Sequence, residues 1–318
     1  MSCEMNRRRF LAQSAALAAS ATLPVAGCAA PIISVASDGT ATMRTRRIPG
    51  TDEYLPVVGL GAPQEFIKMP AAGKELPMSL IQSMVDQGGT VLDTPAFFRP
   101  DVPIIGDVLK EMNLQDDLFL TTKITVDGKE EGNAHLEKAV ENLGKRPIDV
   151  LLIHNMRQMD VHWPTLKEWK ESGRARYIGV SLTRRTDYGP LMDFMKKERP
   201  DFVMTGYSIT QQGPEQDLLP LAADIGIGIF GVEPFKAFED GAFFSVVAGQ
   251  QLPEWTAEFD CESWAQFSLK YILSNPAVTC VITETGKVKH VVDNMGAGFG
   301  RLPDAAMRQK MSDYLLAL

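Results

Sequence analysis

The sequence predicts an α/β fold, a (β/α)8 TIM barrel over residues 45–318, in which eight parallel strands are wrapped by helices. Three observations predict it. Eight short β-rich runs alternate with amphipathic stretches of helical period. The strand runs are apolar almost throughout, as strands covered on both faces are. "GLGAPQEF" lacks the G-x-G-x-x-G turn that a doubly wound open sheet wants after its first strand.

In order, the strand runs are 57–62 (VVGLGA), 90–96 (TVLDTPA), 118–125 (LFLTTKIT), 148–155 (IDVLLIHN), 177–183 (YIGVSLT), 202–208 (FVMTGYS), 227–235 (IGIFGVEPF) and 280–286 (CVITETG). Apolar stripes of helical spacing fill the gaps, in MSLIQSMVDQGG, PIIGDVLKEMN, NAHLEKAVENLG, PTLKEWKESG, DYGPLMDFMKKE, EQDLLPLAADIG and SWAQFSLKYILSN. RTRRIPGTDEYLP reads as a small hairpin under the barrel, and PDAAMRQKMSDYLLAL as an extra helix begun by Pro303 and Asp304. The long loop 236–260 follows the seventh strand; its phenylalanines and Trp255 suit an apolar ligand or lid, or plain loop packing.

Ahead of the barrel, Arg7, Arg8 and Arg9 precede Phe10, Leu11 and an Ala-rich run. That is the layout of a secretory signal, and the arginine pair resembles the twin-arginine export type. Polar residues and Pro24 interrupt the run, which makes it a poor membrane span. PVAGC resembles the lipobox of bacterial lipoproteins, which implies lipidation of Cys28. The expected plan is an export signal at 1–27, a flexible tether at 28–44 and the barrel at 45–318. The expected location is the periplasm, free or lipid-anchored to the membrane that faces it.

The formal net charge is −8, and the signal holds three Arg and one Glu, so the body without it is more acidic still. An acidic body without a basic patch argues against nucleic acid as a partner. Cys261 and Cys280, left after Cys3 and Cys28, have neither the spacing of a metal site nor that of a disulfide framework. No metal is expected.

Asp93, Lys123 and His154 end the second, third and fourth strand runs, and in such a barrel those ends converge on one mouth. Singly, Asp93 could cap a turn, Lys123 could snorkel and His154 could be a satisfied core histidine. Three titratable groups at one level of consecutive strands point instead to one active site.

With GLGA (59–62), LDTPAFF (92–98), TTKI (121–124), IDVLLIHN (148–155), SGRARYIGVS (172–181), VEPF (232–235) and DNMGA (293–297) in this order, residues 45–318 resemble the aldo/keto reductases. The resemblance implies NAD(P)H-dependent carbonyl reduction by a tetrad of Asp, Tyr, Lys and His. Asp93, Lys123 and His154 match three of its members. The tyrosine, which stands five residues after the Asp, is replaced by Phe98. The positions that hold and stack the nicotinamide read Ser181, Leu182, Met204 and Val232. At the adenosine end Glu284 and His290 stand where basic residues grip a 2′-phosphate, whereas Lys287, Asp293 and Asn294 fit the family. A carboxylate repels a phosphate dianion and accepts from a ribose hydroxyl, so NADH is expected over NADPH.

Three readings follow. The first is an exported oxidoreductase with altered proton donation, by His154 or water, acting on a small-molecule carbonyl. The second is a non-catalytic barrel that binds an apolar ligand or a partner. The third is lyase or hydrolase chemistry through a Schiff base on Lys123.

Overall fold

A two-stranded antiparallel hairpin, β1 (Thr45–Arg47) and β2 (Tyr54–Pro56), precedes eight parallel strands that close into a barrel in chain order. These are β3 (Val58–Gly61), β4 (Val91–Asp93), β5 (Phe119–Ile124), β6 (Ile148–Ile153), β7 (Ala175–Leu182), β8 (Phe202–Gly206), β9 (Gly228–Val232) and β10 (Val278–Glu284), with β10 paired to β3. The structure, a computed structural model, describes residues 42–61, 73–94, 105–183, 187–237 and 241–318. All lie in the unit Ile33–Leu318. The export signal, Cys28 and Phe98 fall outside the described residues.

Helices alternate with the strands as the sequence predicts. They are α1 (Glu75–Asp86), α2 (Ile105–Glu111), α3 (Lys129–Leu143), α4 (Met159–Glu171), α5 (Gly189–Glu198) and α6 (Leu218–Ile225). After β9 come a single turn, α7 (Phe243–Val246), and then α8 (Trp264–Leu273); α9 (Val288–Gly296) and α10 (Ala305–Leu316) complete the chain. Asp304 caps α10 as expected, its carboxylate accepting from the Met307 N–H.

The apolar strands serve two cores. Alternate residues face out to the helices, joining Leu92, Leu120, Leu151 and Val180 to Leu80, Leu136 and Leu166. The other set faces the barrel axis, where Val91, Phe119, Val150, Leu152, Phe202, Met204, Phe230 and Ile282 form a second cluster. Phe202 and Phe230 stack there at 4.5 Å between ring centroids. Gly179 makes this packing possible: a Cβ at that position would stand 2.0 Å from the Phe202 carbonyl oxygen, on the strand paired with it.

The hairpin floors the barrel, as the sequence suggests. Ile48 and Leu55 are buried in the inner cluster. Glu53 accepts from the Tyr177 hydroxyl at 2.8 Å and pairs with Arg176. Arg46 donates to the carbonyls of Leu273, Asn275 and Val278 at the end of α8 and the start of β10.

Several boundaries differ from the sequence reading. Met43 and Arg44 are buried, and Arg44 is bonded through its backbone to Gly298 and Val57, so the body takes in the last residues assigned to the tether. Helix α4 begins at Met159 rather than at Pro164, because the turn before the proline is fixed by its own contacts. There the Trp163 indole donates to Glu198 at 2.7 Å and His162 Nε2 lies 2.9 Å from the Val126 oxygen. In the loop 236–260, Trp255 packs on Phe259, Phe267 and Tyr314 with Lys310 over its ring, so this indole serves loop packing. Cys261 and Cys280 are buried and unbonded to each other.

Candidate active site

Strand alternation decides which side chains reach the barrel mouth. On β4 the inward set runs Val91, Asp93; on β5 it runs Phe119, Thr121, Lys123. On β6 it runs Val150, Leu152 and, one residue past the strand, His154; on β7 it runs Tyr177, Gly179, Ser181. In each case an apolar layer lies below and a polar side chain stands at the C-terminal end. The structure thus brings Asp93, Lys123, His154 and Ser181 onto four consecutive strands, at the end where barrel sites are built.

Lys123 Nζ lies 2.5 Å from Asp93 Oδ1, and the two side chains are only 11% and 13% exposed. The Thr121 hydroxyl donates to the same carboxylate oxygen, and Lys123 also reaches the Thr94 carbonyl at 3.4 Å. Thr94 is held in turn through its hydroxyl, which donates to the Thr121 carbonyl at 2.6 Å. An ammonium engaged this way is not the free amine that Schiff-base chemistry uses. The lyase or hydrolase reading loses its support.

His135 of α3 anchors the end of β5 from behind. Its Nε2 lies 3.1 Å from the Lys123 carbonyl, and burial pushes the imidazole pKa down to about 4. It is therefore a neutral N–H donor at ordinary pH.

Beyond β6 the chain turns sharply. His154–Met156 form a 3-10 turn, with Asn155 in the left-handed region (φ 50°, ψ 40°). Asparagine tolerates that conformation better than most residues. The sequence reading ran the strand through Asn155; the turn ends it at Ile153 because the Asn155 side chain bonds across to Thr183, the residue after β7, and its backbone N–H to Ser181 of β7. Its Oδ1 accepts from the Thr183 N–H at 2.9 Å and from the Thr183 hydroxyl at 3.1 Å. Its Nδ2 lies 3.0 Å from His154 Nε2. Ser181 Oγ lies 3.0 Å from His154 Nδ1 and accepts from the Asn155 backbone N–H at 3.0 Å. Asn155 is the residue that sequence reasoning missed. An Asn directly after a strand-ending histidine was the available signal.

The candidate dinucleotide residues divide. Glu284 ends β10, Lys287 directly precedes α9 and His290 lies in its first turn, all three exposed around one loop. The Thr285 hydroxyl joins this loop, accepting from the Lys287 N–H at 3.2 Å and lying 3.4 Å from His290 Nδ1. Asp293 and Asn294 are not brought out beside them. Asp293 accepts from Ser263, the cap of α8, at 2.7 Å and from Gln266 at 3.1 Å, and Asn294 is 2% exposed. At the other end Met204 and Val232 are buried in the inner cluster, and Leu182 joins the outer one. The residues present suit the adenosine end of a dinucleotide and do not suit a carboxamide, since Ser181 Oγ is already engaged and its three neighbours are apolar.

A closed barrel of eight parallel strands with a buried lysine–carboxylate pair at its C-terminal mouth defines the class. The chain belongs to the aldo/keto reductase family, whose model matches residues 58–311. It is 24% identical over 296 residues to the uncharacterized oxidoreductase YqkF of Bacillus subtilis, an alignment spanning 81% of this chain and 92% of that protein. The aldo-keto reductase YhdN of Bacillus subtilis is 29% identical over 164 residues, 45% of this chain and 47% of that protein. Among solved structures, aldo-keto reductase AKR11C1 from Bacillus halodurans superposes with a TM-score of 0.65 at 19% identity, covering 86% of this chain and 96% of that one. An aldo/keto reductase from Klebsiella pneumoniae in complex with NADP and acetate gives 0.68 at 20% identity, covering 84% and 94%.

Proposed function

We propose that the chain is an exported oxidoreductase that reduces a small-molecule carbonyl with a nicotinamide dinucleotide, and that proton delivery to the substrate oxygen is its impaired step. The observation that carries this reading is the Asp93–Lys123 ion pair. Burying two charges costs desolvation that packing alone would avoid, and an ammonium at the mouth can stabilise the negative charge that develops on a carbonyl oxygen. By likeness to the family a bound dinucleotide would supply the hydride, its ring held here by packing on Leu182, Met204 and Val232 rather than by polar contacts to its carboxamide. Lys287 and His290 would meet its adenosine end, and Glu284 would accept from a ribose hydroxyl and disfavour a 2′-phosphate. This makes NADH the preferred form, in contrast to the Klebsiella pneumoniae structures described with NADP and NADPH.

Phe98 supports the impaired step, because no hydroxyl stands at the position of the family's acid. Export in folded form through Arg7 and Arg8, with lipidation at Cys28, completes the proposal. It puts the protein in the periplasm or on the membrane facing it.

A second reading, a non-catalytic barrel for an apolar ligand, is favoured by one observation: Leu182, Met204 and Val232 offer no polar atom to a nicotinamide, and Ser181 Oγ is engaged by His154 and Asn155. Titration with NADH followed by nicotinamide fluorescence, and then turnover of a reactive aldehyde, separates the two. Binding with slow turnover supports the oxidoreductase. Failure to bind NADH or NADPH sinks it in favour of the ligand-binding barrel.

A further inference from the structure

The hydrogen-bond geometry points to Asn155 as a positioning residue that holds His154 in its Nδ1–H tautomer, with the Nε2 lone pair engaged by the Asn155 amide. This deepens the reading of impaired proton delivery, and its test reads the imidazole itself rather than turnover.

The chain of constraints starts at a backbone group whose role is fixed. The Thr183 N–H can only donate, so the Asn155 atom 2.9 Å from it is the carbonyl oxygen. The reversed amide would set two donors face to face. With Oδ1 fixed, Nδ2 is the atom 3.0 Å from His154 Nε2, and it can only donate. Nε2 must therefore accept. A neutral imidazole that accepts at Nε2 carries its hydrogen on Nδ1, and Ser181 Oγ lies 3.0 Å from Nδ1 to accept it. The Asn155 backbone N–H, also 3.0 Å from Ser181 Oγ, takes the other lone pair of that oxygen.

The consequence concerns which way a proton can move. The imidazole's one N–H is spent toward β7, and its Nε2 presents a lone pair that already has a donor. In this arrangement His154 is an acceptor and not an acid, so a carbonyl beside Nε2 meets no imidazole proton. To donate there, the ring must change tautomer and break the Asn155 contact. Hydrogen bonding at His154 thus withholds an imidazole proton from the mouth, independently of the substitution at Phe98 in the sequence.

Two other histidines give an internal standard. His135 and His162 each direct Nε2 at a backbone carbonyl, that of Lys123 at 3.1 Å and that of Val126 at 2.9 Å, and a carbonyl only accepts. Both are Nε2–H tautomers, opposite to His154. Long-range proton–nitrogen correlation spectra of ¹⁵N-histidine-labelled protein, recorded at about pH 8, above the ordinary imidazole pKa of about 6.5, distinguish the two forms directly. The expected wild-type result is Nδ1–H at His154 and Nε2–H at His135 and His162. Asn155→Asp puts an acceptor opposite Nε2 and should convert His154 to Nε2–H; Asn155→Ala should raise the Nε2–H population. The signals of His135 and His162 report that the barrel is intact, and the alanine variant carries the comparison if the aspartate variant loses them. An Nε2–H tautomer at His154 in the wild type overturns the inference, and so does an unchanged tautomer in a folded Asn155 variant.

Discussion

Lys123 reaches back along its strand to Asp93: the register partner of Asp93 is Thr121, and the lysine two residues further on closes to 2.5 Å of the carboxylate. Thr121 fills the direct position and donates to the same oxygen. The carboxylate is thus held from two successive inward positions of one neighbouring strand, with little water around it.

Removing one partner leaves the other charge buried and unpaired. Asp93→Asn and Lys123→Met should each lower the unfolding free energy by about 3–5 kcal/mol, measured by urea denaturation. The double variant should recover at least half of that loss. Simple additivity of the two losses would show that the charges are not coupled.

On the proposed reading, Phe98→Tyr adds a hydroxyl where the resemblance puts the family's acid, and general acid catalysis is worth about 10²- to 10⁴-fold. If the missing donor is the main defect, the variant should reduce a reactive aldehyde at least about tenfold faster than wild type. A wild type that already works at rates usual for a tyrosine-bearing enzyme would refute the impaired step, and His154→Ala should then abolish turnover.

The Glu284 carboxylate should set the choice between dinucleotides. A like charge near the 2′-phosphate costs about 1 kcal/mol in a solvated setting, so wild type should bind NADH about fivefold more tightly than NADPH. Glu284→Gln should narrow that difference. Tighter NADPH binding by the wild type counts against the assignment.

His135 should make stability fall in mild acid. Its folded pKa of about 4 lies below the ordinary value of 6.5, so the unfolded chain binds a proton first. Its stabilising contribution is complete above about pH 6.5 and is lost as pH falls toward 4, up to about 3 kcal/mol. His135→Gln keeps an N–H donor without the titration. Its unfolding free energy should fall less than that of wild type between those pH values; parallel curves would refute the linkage.

Changing Arg7 and Arg8 together to Lys should leave the protein in the cytoplasm, as fractionation and immunoblotting would show. Unchanged export would remove the twin-arginine reading. With export intact, Cys28→Ala should move the protein from the membrane fraction to the soluble periplasmic one.

The barrel was legible because each strand is a dense apolar run and each helix, save one, a clear stripe. The exception is α10, where Leu316 is exposed while Met311 and Leu315 are buried, so apolar residues fall on both faces. The placement of Asp93, Lys123 and His154 at the ends of consecutive strands was legible as polar ends of apolar runs at near-equal spacing. Asn155 was not, because its role depends on a bond to Thr183 that spans 28 residues. Asp293 and Asn294 match the family's adenosine segment in sequence, yet the cap of α8 draws Asp293 inward, and that competition has no local signature.

The hairpin floor has a consequence for the order of assembly. Arg46 is bonded to carbonyls more than 220 residues later in the chain, at the last helix-to-strand junction of the barrel. During synthesis Arg46 is without these acceptors until α8 and β10 emerge, whereas Glu53 of the same hairpin meets Arg176 and Tyr177 of the earlier β7. Contacts of such long sequence separation form late. A chain truncated before β10 therefore lacks both its closing strand and the acceptors that seat the floor, and it should present as an open, protease-sensitive sheet.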